Sequence, residues 1–180
     1  MARKLHIGGK VKSPGWEVLD ANPGEHVDHV GNARDLQRFP DGTFSEVYAS
    51  HVLEHFDHKD EIVTTLKEWN RVLEPGGRLH VSVPDLTVLA TLFCDRQRLS
   101  WEDRYLVMQM IFGSHIDPYD YHKVGLWDEL LVHYLGNSGF TIAKPVADFG
   151  YFQDTSLLEL HGVRISLNVT AFKPPTPYDA

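Results

Sequence analysis

Residues 44–83 read FSEVYASHVLEHFDHKDEIVTTLKEWNRVLEPGGRLHVSV, and this stretch decides the fold. Phe44 to Ser50 reads as a strand, and so does Arg78 to Val83, where Leu79, Val81 and Val83 alternate with His80 and Ser82. Between them Ile62, Leu66, Trp69 and Leu73 recur at four- and three-residue steps, with Lys67, Glu68, Asn70 and Arg71 on the other side. Pro75-Gly76-Gly77 stops the pattern. That spacing predicts an amphipathic helix of about four turns. A strand, a helix and a strand make a βαβ unit, so the two strands should run parallel with a right-handed crossover, and the fold class is α/β.

Outward from this unit the same periods continue. Residues 86–113 read as mainly helical. Leu126 to Asn137 repeats the helical spacing with Leu126, Leu130, Leu131, Tyr134 and Leu135, and Ser138-Gly139 ends it before a strand at Phe140 to Ala143. Residues 156–172 suggest a final strand that can form the second arm of a hairpin. On the N-terminal side, Lys4 to Ile7, Trp16 to Asp20 and Val27 to Val30 read as strands. The links between them, Gly8 to Gly15 and Ala21 to His26, are too short to hold helices. One sheet face should therefore lack two covering helices, and a later helix or a second subunit is expected to cover its apolar side chains. This is the ground for expecting a homodimer.

The chain has 180 residues, 42% of them hydrophobic and 23% charged, as in an ordinary soluble protein with one core. We read a single domain over 1–172 and a tail over 173–180 (KPPTPYDA). No apolar run approaches the ~20 residues of a membrane span. Seventeen Lys and Arg against 25 Asp and Glu give a net charge of −8, which repels a phosphate backbone, so nucleic acid is not expected as a partner. Cys94 is the single cysteine, and the opening MARKLHIGG lacks the apolar core of a secretion signal; a cytoplasmic location is expected.

Chemistry-bearing residues collect at strand ends. Gly8-Gly9 closes one early strand and Asp20 the next, the pairing that suits an adenosine ligand, although a tight turn and a structural carboxylate explain them too. Gly31-Asn32-Ala33 follows the third strand, and Ser50-His51 with Val52-Leu53-Glu54-His55 follows the fourth. With LHIGG at 5–9, GWEVLD at 15–20, GNARDL at 31–36, FPDGTFSEVYASHVLEHF at 39–56 and LKEWNRVLEPGGRLHVSVPDL at 66–86, the chain resembles the class I S-adenosylmethionine-dependent methyltransferases. It is most similar to a short bacterial group of predicted methyltransferases carrying an ASHVLEH segment.

The resemblance implies a Rossmann-like, mostly parallel seven-stranded sheet with a shortened N-terminal part. It implies S-adenosylmethionine as cofactor and methyl transfer to a small polar acceptor. By position, Gly8 and Gly9 would face the methionine part, Asp20 the ribose, Asn32 the adenine amino group and Ala33 the adenine face. Ser50 and His51 would line the pocket beside the sulfonium. Three departures stand out: Gly8-Gly9-Lys10 replaces the usual G-x-G-x-G, the following helix is missing, and Ser45 replaces a common aspartate. They leave open a second reading, a binding or scaffold protein that keeps the fold without turnover.

His51-Val52-Leu53-Glu54-His55 also matches the H-x-x-E-H pattern of inverted zinc peptidases. On a helix His51, His55 and His58 would share a face, but the pattern directly follows a strand. A zinc hydrolase therefore ranks third, and no metal is assigned. In the turn-rich segment GSHIDPYDYHK (113–123), His122 and Tyr121 are the catalytic candidates, set against a plain solvated loop. Asp85 is either an acceptor-side carboxylate or a helix N-cap. Cys94 is expected as a buried small hydrophobe, and all four tryptophans as core.

Overall fold

The computed structural model describes residues 2–116 and 118–175. Its main sheet contains β1 (Arg3–Ile7), β2 (Trp16–Asp20), β3 (His29–Val30), β4 (Phe44–Ser50), β5 (Leu73–Pro84), β6 (Ile142–Pro145) and β9 (Ser166–Phe172). Two further strands, β7 (Glu159–Leu160) and β8 (Val163–Arg164), form a small hairpin. The helices are α1 (Glu61–Val72), α2 (Leu86–Cys94), α3 (Trp101–Phe112) and α4 (Asp128–Asn137). Sheet order is β3-β2-β1-β4-β5-β9-β6, with the first five strands parallel and β9 antiparallel to both its neighbours. The α/β, Rossmann-like, mostly parallel seven-stranded sheet is thus observed. Because β1 sits beside β4, the strand order reverses there and opens a crevice at their carboxyl ends.

One sheet face is a conventional apolar core. Leu5, Val47, Leu79 and Ala171 line up across four strands, as do Ile7, Ala49, Val81 and Val169. Helix α1 lays Ile62, Leu66, Trp69 and Val72 on this face, and α4 adds Leu131 and Leu135. Each fully buried side chain of this size contributes on the order of 1.5–3 kcal/mol. A satellite core of Leu89, Leu92, Leu99, Val107 and Ile165 holds α2 and α3 to the sheet end.

The second face corrects an expectation. It carries His6, Glu46, Tyr48, His80, Asn168 and Thr170, polar groups that are nonetheless buried. Within the single chain the cover is its own segment 146–158, which includes one 3-10 turn at Thr155–Leu157. Phe152 and Phe149 lie 4.7 and 5.3 Å from the Tyr48 ring, and Tyr151 lies 5.2 Å from Trp16. Glu46 anchors this layer with Lys4 at 2.8 Å, Tyr151 at 2.7 Å, His80 at 2.9 Å and Arg78 at 3.1 Å. The sheet therefore gives no physical reason for a dimer.

Other differences are local. Strand β3 has only two residues; just before it, Asp28 donates its N–H to the Val18 carbonyl at 3.0 Å and accepts from Val18 N through Oδ2 at 2.9 Å. Strand β6 starts two residues later than the sequence suggests. Cys94, the last residue of α2, is exposed. Trp101 is 70% exposed and stacks on Tyr105, and Trp127 is partly exposed, so only Trp16 and Trp69 are core. Lys173, where the tail was expected to begin, is anchored: its Nζ donates to the carbonyls of Asn70 and Leu73, at 2.8 and 2.6 Å. Residues 176–180 lie outside the described residues.

Candidate functional site

A cavity of about 990 Å³ opens at the carboxyl ends of β1, β2, β3 and β4. Gly8 lies at its floor with φ +74°, donating its N–H to the Leu19 carbonyl, and a Cβ there would meet Val52 Cγ2 at 2.7 Å. Only glycine fits both demands. Gly9 does not line the cavity; it is buried against the His6 ring, where an added Cβ would come within 2.7 Å of Nδ1.

Asp20, 5% exposed at the tip of β2, accepts from Asn22 N at 2.8 Å and from Lys10 Nζ at 2.7 Å. Lys10 is the residue standing where a glycine is usual in the resembled family, and it occupies the carboxylate. Asn32 Oδ1 accepts from Arg34 N at 3.0 Å, an Asx turn that fixes the tip after β3. Ala33 follows, its carbonyl held by Trp69 Nε1 at 2.8 Å, so the tip is tied to α1.

Beyond β4, Ser50 Oγ lies 3.0 Å from Thr155 Oγ1. His51 takes φ 53°, a left-handed conformation that costs a non-glycine residue on the order of 1–3 kcal/mol. Its amide bonds the Ser82 carbonyl at 2.9 Å, and its Nε2 meets Ser166 Oγ at 2.8 Å. Residues 53–55 form one 3-10 turn rather than an α-helix, so His51, His55 and His58 share no helical face. His58 is exposed.

Ser114, Ile116, residues 118–123 and residues 152–155 also line the cavity. His122 is mostly buried in the wall, whereas Tyr121 is 49% exposed and stacks on His115 at 3.9 Å. Asp85 does not line the cavity; it caps α2 by accepting from Thr87 N and Val88 N. Of the sequence-derived residues, Gly8, Asp20, Asn32, Ala33, Ser50, His51, Tyr121 and His122 are thus brought to one cavity and Gly9 is not.

Two lining features went unread in the sequence: the Lys10–Asp20 pair, and the burial of Glu54. Glu54 is 1% exposed, and neither carboxylate oxygen has a hydrogen-bond partner from another described residue. Burial pushes its carboxyl up to about 8. Burial likewise lowers His51 and His122 to about 4, with the charges of neighbouring histidines adding to the shift.

Comparison with known proteins agrees with this architecture. The profile of the family described as methyltransferase domain matches residues 17–81, from β2 into β5. A probable methyltransferase, ltbC, of Aspergillus luteorubrus is 32% identical over 76 residues, covering 41% of this chain and 27% of that protein. The matched stretch thus spans about a quarter of that relative's length. A SAM-dependent methyltransferase from Archaeoglobus fulgidus superposes with a TM-score of 0.60 at 16% identity, over 96% of this chain and 86% of that one. Another, from Methanosarcina mazei, gives 0.57 at 19% identity, over 97% and 93%. At such identities the likeness is one of fold. The matched segment is thus that of a methyltransferase domain, and the fold is the one shared by these S-adenosylmethionine-dependent methyltransferases.

Proposed function

We propose that this chain binds S-adenosylmethionine in the strand-tip cavity and transfers its methyl group to a small polar acceptor. The observation that carries the reading is the convergence of Gly8, Asp20, Asn32, Ala33, Ser50 and His51 on one cavity at the point where the strand order reverses. The residues fit the cofactor: a glycine that no side chain may replace, a strand-end carboxylate, an amide and a small residue follow in the order an extended adenosyl ligand needs. When bound, S-adenosylmethionine supplies an electrophilic methyl group on a sulfonium.

Asp20 would accept from the ribose hydroxyls with Lys10 swung aside, and Asn32 and Ala33 would hold the adenine. His51, kept uncharged by burial, adjoins the cationic sulfur without repelling it. His122 and Tyr121 hold the acceptor, whose nucleophilic atom bonds the methyl carbon as the carbon–sulfur bond breaks and its electron pair stays on sulfur. A hydroxyl acceptor also loses its proton, and the neutral His122 imidazole is placed to receive it. The acceptor is small because residues 118–123 wall the cavity. A net charge of −8 disfavours nucleic acid as acceptor, and the lone cysteine suits a cytoplasmic protein.

The Lys10–Asp20 pair is also the observation that favours the second reading, a fold kept without turnover. Isothermal titration with S-adenosylmethionine and S-adenosylhomocysteine separates the two. Micromolar affinity for both is expected, and no heat at millimolar ligand would leave only the scaffold.

A further inference from the structure

Glu54, His55 and His122 each present one ligand-capable atom within 4.8 Å of the others. All three line the cavity. We propose that they form a site for a divalent first-row transition metal ion such as Zn²⁺, a two-histidine, one-carboxylate set with its open positions turned toward the cavity.

Three observations support this independently of any methyl transfer. First, a buried carboxylate whose oxygens find no hydrogen-bond partner on another described residue is costly to keep charged unless something pairs with it, and a cation is the simplest partner. Second, both histidines have backbone support. His55 Nδ1 lies 3.3 Å from the Tyr121 carbonyl oxygen, the kind of contact that orients a metal-bound imidazole, and the His122 backbone N–H donates to the Phe112 carbonyl at 3.0 Å. Third, Lys123 N donates to the Glu54 carbonyl at 2.8 Å, which locks the 114–123 wall to the 53–55 turn and so fixes His122 opposite Glu54. Residues from two distant stretches are held together around one point.

The ligand types narrow the ion. Two imidazoles and one carboxylate suit Zn²⁺, Fe²⁺, Co²⁺ or Ni²⁺ better than Mg²⁺ or Ca²⁺, which prefer all-oxygen sets. Three protein ligands leave at least one position for water or for a polar acceptor atom. His51 Nδ1, 3.6 Å from Glu54 Oε1, borders the set on the side of β4. With an ion bound, His122 serves as ligand and no longer as base. The H-x-x-E-H segment then contributes Glu54 and His55 to a site completed by His122, without any peptidase-like helix.

The test needs neither S-adenosylmethionine nor an acceptor, so its outcome is separate from that of the methyltransferase reading. The full chain, stripped with chelator, is dialysed against Zn²⁺ and its bound metal measured, and the same sample is titrated with Co²⁺ to follow ligand-field absorption. We expect a single tight ion per chain with the spectrum of mixed nitrogen and oxygen ligation. E54Q and H122N should each weaken binding by roughly 10–100-fold or more, while H133A, an exposed histidine on α4, leaves it unchanged. Thermal melts check folding: Zn²⁺ should raise Tm of the wild-type chain and not of E54Q, a variant that keeps the shape of a neutral Glu54. Substoichiometric binding, or full binding retained in both E54Q and H122N, overturns the proposal.

Discussion

Lys10 and Asp20 show how one substitution within a loop bears on binding. The lysine side chain is 76% exposed, so its ion pair is worth at most about 1 kcal/mol, and displacing it costs little. K10A is therefore expected to change S-adenosylhomocysteine affinity by less than about fivefold. D20A removes a buried charged acceptor worth about 1.5–3 kcal/mol and should weaken binding roughly 10–100-fold. Titration calorimetry on the two variants checks both, and equal effects would mean that Asp20 does not hold the ribose. Gly8 makes a second case. G8A adds both left-handed strain and a contact with Val52, so its Tm should fall; adding V52A should restore only the contact share of the loss.

At the scale of elements, α1 does two jobs. Its apolar stripe builds the core, and Trp69 reaches through that core to hold the Ala33 carbonyl. W69F keeps most of the ring volume but strands a buried acceptor, a loss of about 1–3 kcal/mol in urea unfolding. Because the proposed binding mode sets the adenine against Ala33, the variant should also bind S-adenosylhomocysteine more weakly; unchanged affinity would separate the tip from the ligand. The βαβ unit containing α1 was legible because its signals are local: Phe44 to Ser50 matches β4 residue for residue, and the stripe fixes the helix. Segment 146–158 was not legible. Phe149, Tyr151 and Phe152 follow no helical or strand period, and their partners His6, Tyr48 and His80 come from strands far away in sequence. The union of Glu54 and His55 with His122 escaped for the same reason, since no period links residues so far apart along the chain.

Across the whole molecule, the polar layer under segment 146–158 sets the response to acid. Burial by itself would raise the Glu46 carboxyl, but hydrogen bonds from Lys4, Tyr151 and His80 and the charge of Arg78 bring it down to about 2, from 4.5. A carboxylate lowered on folding stabilises fully above its unfolded value, and that contribution is lost as pH falls from about 4.5 toward 2. His6 is held by burial at about 4 against 6.5, so the unfolded chain takes up a proton that the folded one refuses, and stability drops as pH falls from about 6.5 to 4. Urea midpoints should decline continuously over the whole interval below pH 6.5. E46Q, which leaves Lys4 and Arg78 without their carboxylate, should be less stable at neutral pH and lack the lower limb. A midpoint that is flat with pH, or an E46Q curve parallel to wild type, would contradict this account of the layer.

The alternation of His80 and Ser82 with Leu79, Val81 and Val83 already marked one face of β5 as polar, yet the missing helices drew attention to apolar cover instead. What the strand tips have in common is location, and that was readable, because parallel strands place all their carboxyl ends at one edge. The cavity between those ends is the centre of the account. Its most direct test is a crystal structure of the chain with S-adenosylhomocysteine. The ribose hydroxyls should lie on Asp20 with Lys10 displaced, the adenine between Asn32 and Ala33, and the sulfur beside Ser50 and His51. Ligand bound elsewhere on the molecule, or a cavity still closed by the Lys10–Asp20 pair at saturating ligand, would contradict it.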